Sequence, residues 1–200
     1  MINFVISRYN QDVSWVAKYA PSMILYDRSD EPVPGSIIVP NLGSDLADKF
    51  HFIITNYNNL PPVAVYTKAN LLEKYITKPE FDKVKNNSWF TPLLTMNHRT
   101  YSDERGVVCY YKDGIYFERN DLWYLNSHPV KHDPKEIQAL MGIDKMEYVP
   151  FAPGSNYILT AEDIRRHPQE FYIKLYNYLT WAVYPGEAQV IERGLYTIWR

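Results

Sequence analysis

The chain carries one cysteine, Cys109, in 200 residues. A lone thiol closes no internal disulfide and builds no cysteine-rich zinc site. Cys109 lies in an apolar run, which suits a small buried strand residue and is compatible with a reducing compartment. Basic residues do not cluster. Lysine and arginine number 21 against 23 acids, for a formal net charge of -2. No global basic field is available to hold nucleic acid. No apolar run approaches the roughly 20 residues of a membrane-spanning helix, so no transmembrane segment is expected. The N-terminal "MINFVISRYNQD" lacks a basic region followed by a long apolar one. It reads as a first strand and not as a signal peptide, and a cytoplasmic location is expected. Several catalytic motifs are also missing. There is no GxGxxG, no Walker loop, no GxSxG elbow and no HExxH.

What is present is a globular composition, 46% hydrophobic and 22% charged. The length suits one domain with a real core. The 18 tyrosines offer flat apolar faces with polar tips, which serve cores and also stack on sugars and bases.

Ile2 to Ser7 is short, apolar and β-branched, and predicts a strand. Asp12 is placed to cap a helix through Ala17. Ser22 to Tyr26 predicts a second strand, and Ser36 to Val39 a short third. Ser44 or Asp45 then caps a helix whose apolar positions are Leu46, Phe50, Ile53, Ile54 and Tyr57. Pro61-Pro62 ends that segment, and Val63 to Tyr66 predicts another strand. Strands and helices that alternate in this way predict a mostly parallel sheet with helices on its faces. Ligands of such sheets bind at the carboxyl ends of the strands. Those ends are Ser7-Arg8-Tyr9-Asn10, Tyr26-Asp27, Pro40-Asn41 and Lys68-Ala69-Asn70.

The second half is less regular. A short helix is expected over Lys78 to Lys85, and a hairpin turning at Asp113-Gly114. Asp133 caps a helix from about Pro134 to Met141. "SNYILT" predicts a strand, and Thr160 to Asp163 a capping box. Pro168 opens a helix, and Glu187 to Trp199 forms the last one.

The candidate chemistry sits at the strand ends. Asp27, after the second strand, is placed to accept from a ribose or a base, or is a solvated turn residue. Asp45 reads as a helix cap before it reads as a ligand contact. Lys68 ends an apolar strand and could face a diphosphate, or is a rim lysine. Glu187, after Pro185-Gly186, could serve as a general base, although acids favour helix starts in any case. Glu192 and Arg193 could form a buried ion pair. The histidines are His51, His98, His128, His132 and His167. Pro129 argues against a helical metal pair at His128 and His132.

Three stretches carry a resemblance. They are "VISRYNQDVSWV", "VPNLGSDLADKFHFIITNYNNLPPVAVYTKAN", and "FAPGSNYILTAEDIRRHPQEFYIKLYNYL" followed by "PGEAQVIERGLYTIW". In order and content the chain resembles a poorly characterised family of fungi, bacteria and large DNA viruses, whose members are similar to GT-A-type glycosyltransferases. Its pattern has Tyr-Asn after the first strand, Asn-x-Gly-Arg-Glu before the helix, a Lys-Gly-Asn-like strand end and a late Glu-Arg helix. Here Ser44-Asp45 replaces Arg-Glu, and Ala69 replaces the glycine.

The resemblance implies one GT-A-like domain over residues 1–200, with a nucleotide-binding half (1–70) and an acceptor-side half (71–200). It implies transfer of a hexose or deoxyhexose from a UDP- or dTDP-sugar to a glycan, a glycoprotein or another hydroxyl acceptor. Tyr9, Asn10, Asp27, Asn41, Gly43 and Asp45 would bind the nucleotide. Lys68, Asn70 and Arg193 would face the diphosphate, and Glu187 would be catalytic. No Asp-x-Asp ends a strand to hold manganese or magnesium, so no metal ligand is assigned and metal dependence stays open. A catalytically silent nucleotide- or carbohydrate-binding module of the same fold is the alternative. A hydrolase working through paired carboxylates is a third reading.

Overall fold

The computed structural model describes residues 3–20, 23–95 and 100–200. Ile2, Ser22 and His98 lie outside the described residues. Strand β1 spans Asn3–Arg8, β2 Met23–Asp27, β3 Ile37–Ile38, β4 Val63–Lys68, β5 Thr91–Pro92 and β10 Tyr157–Thr160. These six form one sheet in the order β3-β2-β1-β4-β10-β5. β1 is parallel to both β2 and β4, and β2 is parallel to β3. β10 is antiparallel to β4 and to β5.

The architecture is therefore α/β with a mixed sheet. The expected parallel arrangement holds only for the half built by the first 70 residues. An antiparallel neighbour needs no crossover helix. The chain at Gly154 to Asn156 leads straight into β10, which sets Tyr157 opposite Tyr66.

Alternation along the strands places helices on both faces. Val5, Tyr26, Ala64, Tyr66, Tyr157 and Leu159 belong to one core. That core is covered by α1 (Ser44–Thr55), α6 (Gln169–Leu179) and α7 (Gly186–Trp199). Phe4, Ile6, Leu25, Val65 and Ile158 face the other way. There they meet a 3-10 turn (Ser14–Lys18), α2 (Leu71–Lys74) and α3 (Lys78–Val84). Asp12 accepts from Ser14 N at 2.9 Å, so it does start a turn, but a 3-10 turn replaces the expected helix.

A second sheet, β6-β7-β8-β9, is wholly antiparallel. Its strands are Tyr101–Asp103, Gly106–Lys112, Ile115–Arg119 and Tyr148–Pro150. The hairpin between the middle two turns at Asp113 and Gly114, both with positive φ, as a two-residue type I′ connection requires. Helix α4 (Pro134–Leu140) is capped by Asp133, and α5 (Ala161–Arg165) by the Thr160–Asp163 capping box. Pro168 stands at the N-cap of α6, one place before the expected first turn. No helix among the described residues is long and apolar enough to cross a membrane.

The start of α1 departs from expectation. Neither Ser44 nor Asp45 caps it. The N-cap is Gly43, left-handed at φ 74°, with no side-chain cap. Gly43 N and Ser44 N donate instead to the carbonyls of Ala182 and Val183 at 2.8 and 3.1 Å. This helix end is closed by the segment that links α6 to α7. Tyr57 likewise falls beyond α1, in a separate 3-10 turn.

A Cβ on Gly43 would lie 2.8 Å from the Ala47 Cβ and 2.9 Å from the Leu179 Cβ, besides the strained φ. Gly43→Ala should cost about 2 kcal/mol or more. Urea unfolding would measure it, and an unchanged midpoint would show that the α1–α6 approach can relax.

Candidate functional site

A cleft of about 200 Å³ opens at the carboxyl ends of β1 and β4. Ser7, Arg8, Tyr9 and Gln11 form one wall, and Lys68, Asn70 and Tyr75 the other. Asn41, Ser44 and Asp45 line it from the entry to α1, Arg28 from the loop after β2, and Tyr184 from the α6–α7 connection. Two polar clusters far apart in sequence, around Asn41–Asp45 and around Lys68–Asn70, thus share one cleft. Trp15 Nε1 fixes the turn after β4 by donating to Ala69 O at 2.8 Å.

Asp45 is the electrostatic centre. Its Oδ1 meets Lys68 Nζ at 3.1 Å and accepts from the Ser44 hydroxyl at 2.9 Å. Its Oδ2 takes the Lys49 ammonium and the Ser155 hydroxyl. Burial alone would raise the Asp45 pKa. The two ammonium groups outweigh burial and hold the carboxyl far below its usual range. Burial works to lower the Lys68 pKa, but Asp45 and Glu192 reverse it, and the net shift is upward. Burial pulls the enclosed Lys49 ammonium down, against the pull of Asp45. Lys68 is the more open of the two cations, its side chain 25% exposed against 1% for Lys49. Its ammonium also lies over the Tyr75 ring, 5.4 Å from the centroid, and 3.5 Å from the Tyr75 hydroxyl.

The two arginines of the cleft are spoken for. Arg28 grips Asp48 through Nε and Nη2 at 2.9 and 2.6 Å, and its Nη1 donates to Leu42 O. Arg8 Nη1 holds Asp27 at 2.6 Å.

Of the residues expected at the nucleotide, Tyr9, Asn41 and Asp45 line the cleft, and so do Lys68 and Asn70 from the diphosphate set. The others fall elsewhere. Asp27 is fully buried and accepts from Arg8, from Ser29 N and Oγ, and from Val33 N, which fills its four lone-pair directions. It organises the loop after β2 and presents no free oxygen to a ribose. Asn10 adopts φ 85° and turns the chain between Tyr9 and Gln11. Gly43 works through the backbone, as described.

Arg193 is buried between Tyr124 and Phe151, its guanidinium carbon 3.4 and 4.8 Å from their ring centroids. Its salt bridge is to Glu118 at 2.6 Å, not to Glu192. Glu192 accepts from Gly154 N at 2.8 Å, and burial raises its pKa although Lys68 opposes this. Glu187 is fully buried and is not part of the cleft wall. Its Oε1 accepts from Lys131 N at 2.8 Å and His132 N at 2.7 Å, and meets His132 Nδ1 at 3.0 Å.

Sequence reading missed Lys49, Arg28, Ser155, Tyr75 and Tyr184. Only Lys49 left a trace, standing four residues after Asp45 on a helix. The other four arrive through long-range packing.

Asp45 is the one carboxylate among the residues lining the cleft. Ammonium and hydroxyl groups engage both of its oxygens. That donor set does not fit a divalent cation, which needs free anionic or carbonyl oxygens. Among the described residues no group of three or more His, Cys, Asp or Glu is placed to hold a metal ion. No known family, no curated protein and no solved structure matches the chain.

Asp45→Asn removes the counter-charge of a buried ammonium and should destabilise the fold by about 3 kcal/mol or more. A carboxyl whose folded pKa is depressed stabilises above its unfolded pKa and loses that contribution as pH falls. The difference between wild type and Asp45→Asn should therefore be full near pH 7 and shrink from about pH 5 downward. Denaturant midpoints across that range would test this, and a gap that widens in acid would contradict it.

Proposed function

We propose that the chain binds a nucleotide sugar in the β1/β4 cleft and transfers the sugar to a hydroxyl acceptor, as a GT-A-like glycosyltransferase. One observation carries this reading. The cleft lies where the connections from two adjacent parallel strands part. The chain leaves β1 toward β2 on one side, and leaves β4 toward β5 on the other. Such a switch point is where open α/β sheets hold their ligands.

The chemistry of the walls agrees with this ligand class. Tyr9 and Tyr184 are 44% and 61% exposed, which leaves flat faces for a base or a sugar ring. Lys68 is the cation most able to exchange its partner, and a diphosphate would take it from Asp45.

A second reading is a binding module without catalysis. It is favoured by Asp45 itself. The one carboxylate in the cleft wall is held so far below the usual range that it makes a poor base.

Calorimetry against UDP-, dTDP-, GDP- and ADP-sugars, with and without manganese, tests both readings. Binding should appear for at least one nucleotide sugar, and Lys68→Met should weaken it at least about tenfold, the loss of one charge-assisted contact. Release of nucleoside diphosphate that depends on an added hydroxyl acceptor would support transfer. Binding without turnover would favour the module. No binding by any member of the set would remove the transfer reading and leave only a module that binds carbohydrate.

A further inference from the structure

The geometry points to a second ligand site, on the antiparallel sheet, that takes a neutral carbohydrate against the rings of Tyr101 and Trp123. The inference does not rest on the transfer reading. None of the described residues that line this site belongs to the β1/β4 cleft.

The site is a cavity of about 450 Å³. That lies within the usual range of a small-molecule pocket, about 300–1,000 Å³. Tyr101 and Asp103 enter it from β6, since residues two apart on a strand share a face. The pairing of β6 with β7 shifts beside them. Tyr101 stands opposite Cys109, but Ser102 stands opposite Val107. Val108 is the residue left over, a β-bulge that is buried and lines the cavity. Bulges re-aim side chains at the edge of a sheet. Asp121 and Trp123 enter from the segment after β8.

Both rings are open to solvent, Tyr101 at 58% and Trp123 at 43% exposure. Trp123 is held in place all the same. Its N donates to Asp121 Oδ1 across 3.4 Å. Its ring stands at 83° to that of the buried Tyr124, with centroids 6.1 Å apart.

Arg119 ties the two sides of the cavity together. Its Nη1 and Nη2 clasp Asp103 at 3.0 and 2.7 Å, and its Nε meets Asp121 at 2.7 Å. The more exposed Arg105 spans the same two carboxylates, at 3.1 Å from Asp121 and 3.7 Å from Asp103. The Arg119 hydrogen bonds hold the Asp103 pKa down to about 2, so its carboxylate stays ionised.

This arrangement selects the ligand. Two guanidinium groups face two carboxylates, so the four charges cancel. No net field is left to draw in a phosphate or a nucleic-acid backbone. All three nitrogens of Arg119 are already taken, which leaves it no fork for an anion. What remains is acceptor capacity. Among the described residues, Asp121 Oδ1 carries only the long Trp123 contact, and a carboxylate offers about four lone-pair sites. A neutral sugar ring has the matching form. Its C–H face packs on an aromatic ring, and its hydroxyls donate to an open carboxylate oxygen.

Calorimetry of the full chain against neutral tetrasaccharides of glucose, mannose, xylose, galactose and N-acetylglucosamine tests this. At least one should bind. Trp123→Ala and Tyr101→Ala should each weaken it by about tenfold or more, the loss of one stacking ring. Lys68→Met should leave this binding unchanged. So should a rise in salt from about 0.05 to about 0.5 M, because no net charge is matched. In the wild type, the NMR signal of the Trp123 indole N–H should shift as the sugar is added. No binding by any tetrasaccharide, a still indole signal, or affinity indifferent to both ring variants would overturn the site. A proline-rich peptide that binds in place of the sugars, and is lost with the same rings, would overturn the ligand class. The ring variants report on this cavity and Lys68→Met on the nucleotide cleft, so either reading can fail alone.

Discussion

The carboxylate of Asp45, held between the ammonium groups of Lys49 and Lys68, is the interaction on which the rest of the site depends. A buried charge costs several kcal/mol unless its partners are in place. Here the partners come from separate parts of the chain. Asp45 and Lys49 belong to α1, Lys68 to the end of β4, and Ser155 to the turn before β10. Ser7 on β1 adds its hydroxyl to Asp45 O at 3.2 Å. The neighbouring Asn156 closes the set, its Oδ1 accepting from Lys68 N and Thr67 Oγ1 at 2.9 and 3.0 Å. None of these elements can shift without stranding a charge or a hydrogen bond, so the cleft mouth is rigid on the sheet side.

The opposite side of the cleft is set by the strap between α6 and α7. Its Ala182 and Val183 carbonyls close the start of α1, Tyr184 lines the cleft, and Gly186 and Glu187 hold the 129–132 segment. One short piece of backbone therefore joins three tasks. It caps a helix that carries no side-chain cap, it supplies an aromatic wall, and it fixes an imidazole. Gly154 does comparable work nearby. At φ 99° it leaves the space against which the Tyr75 ring packs, and this brings the Tyr75 hydroxyl to Lys68.

Much of the fold is legible in the sequence. Short, continuous apolar runs mark β1, β2, β4 and β10, which are buried on both faces, and the period of 3.6 marks α1 and α6. Turn chemistry at Asp113-Gly114 and caps at Asp133 and Thr160 are local, because the groups that satisfy one another lie within a few residues. The placement of ligand-facing residues at the ends of β1 and β4 follows from the alternation of strands with helices along the first 70 residues. The antiparallel entry of β10 does not, because strand direction depends on how distant segments meet.

The sequence by itself determined the positions of β1 to β4, of β10 and of the longer helices, and among the residues it brought forward were the five that line the cleft, Tyr9, Asn41, Asp45, Lys68 and Asn70. Only the tertiary structure decided what each polar residue does. Asp27 and Arg193 spend their charge on partners 19 and 75 residues away. Glu187 is turned inward onto a loop 55 residues earlier. Local patterns record which face of an element is apolar, and that much a sequence carries. Whether a carboxylate faces a ligand or a partner is set by desolvation and by donors brought in from elsewhere, and these exist only once the chain has packed.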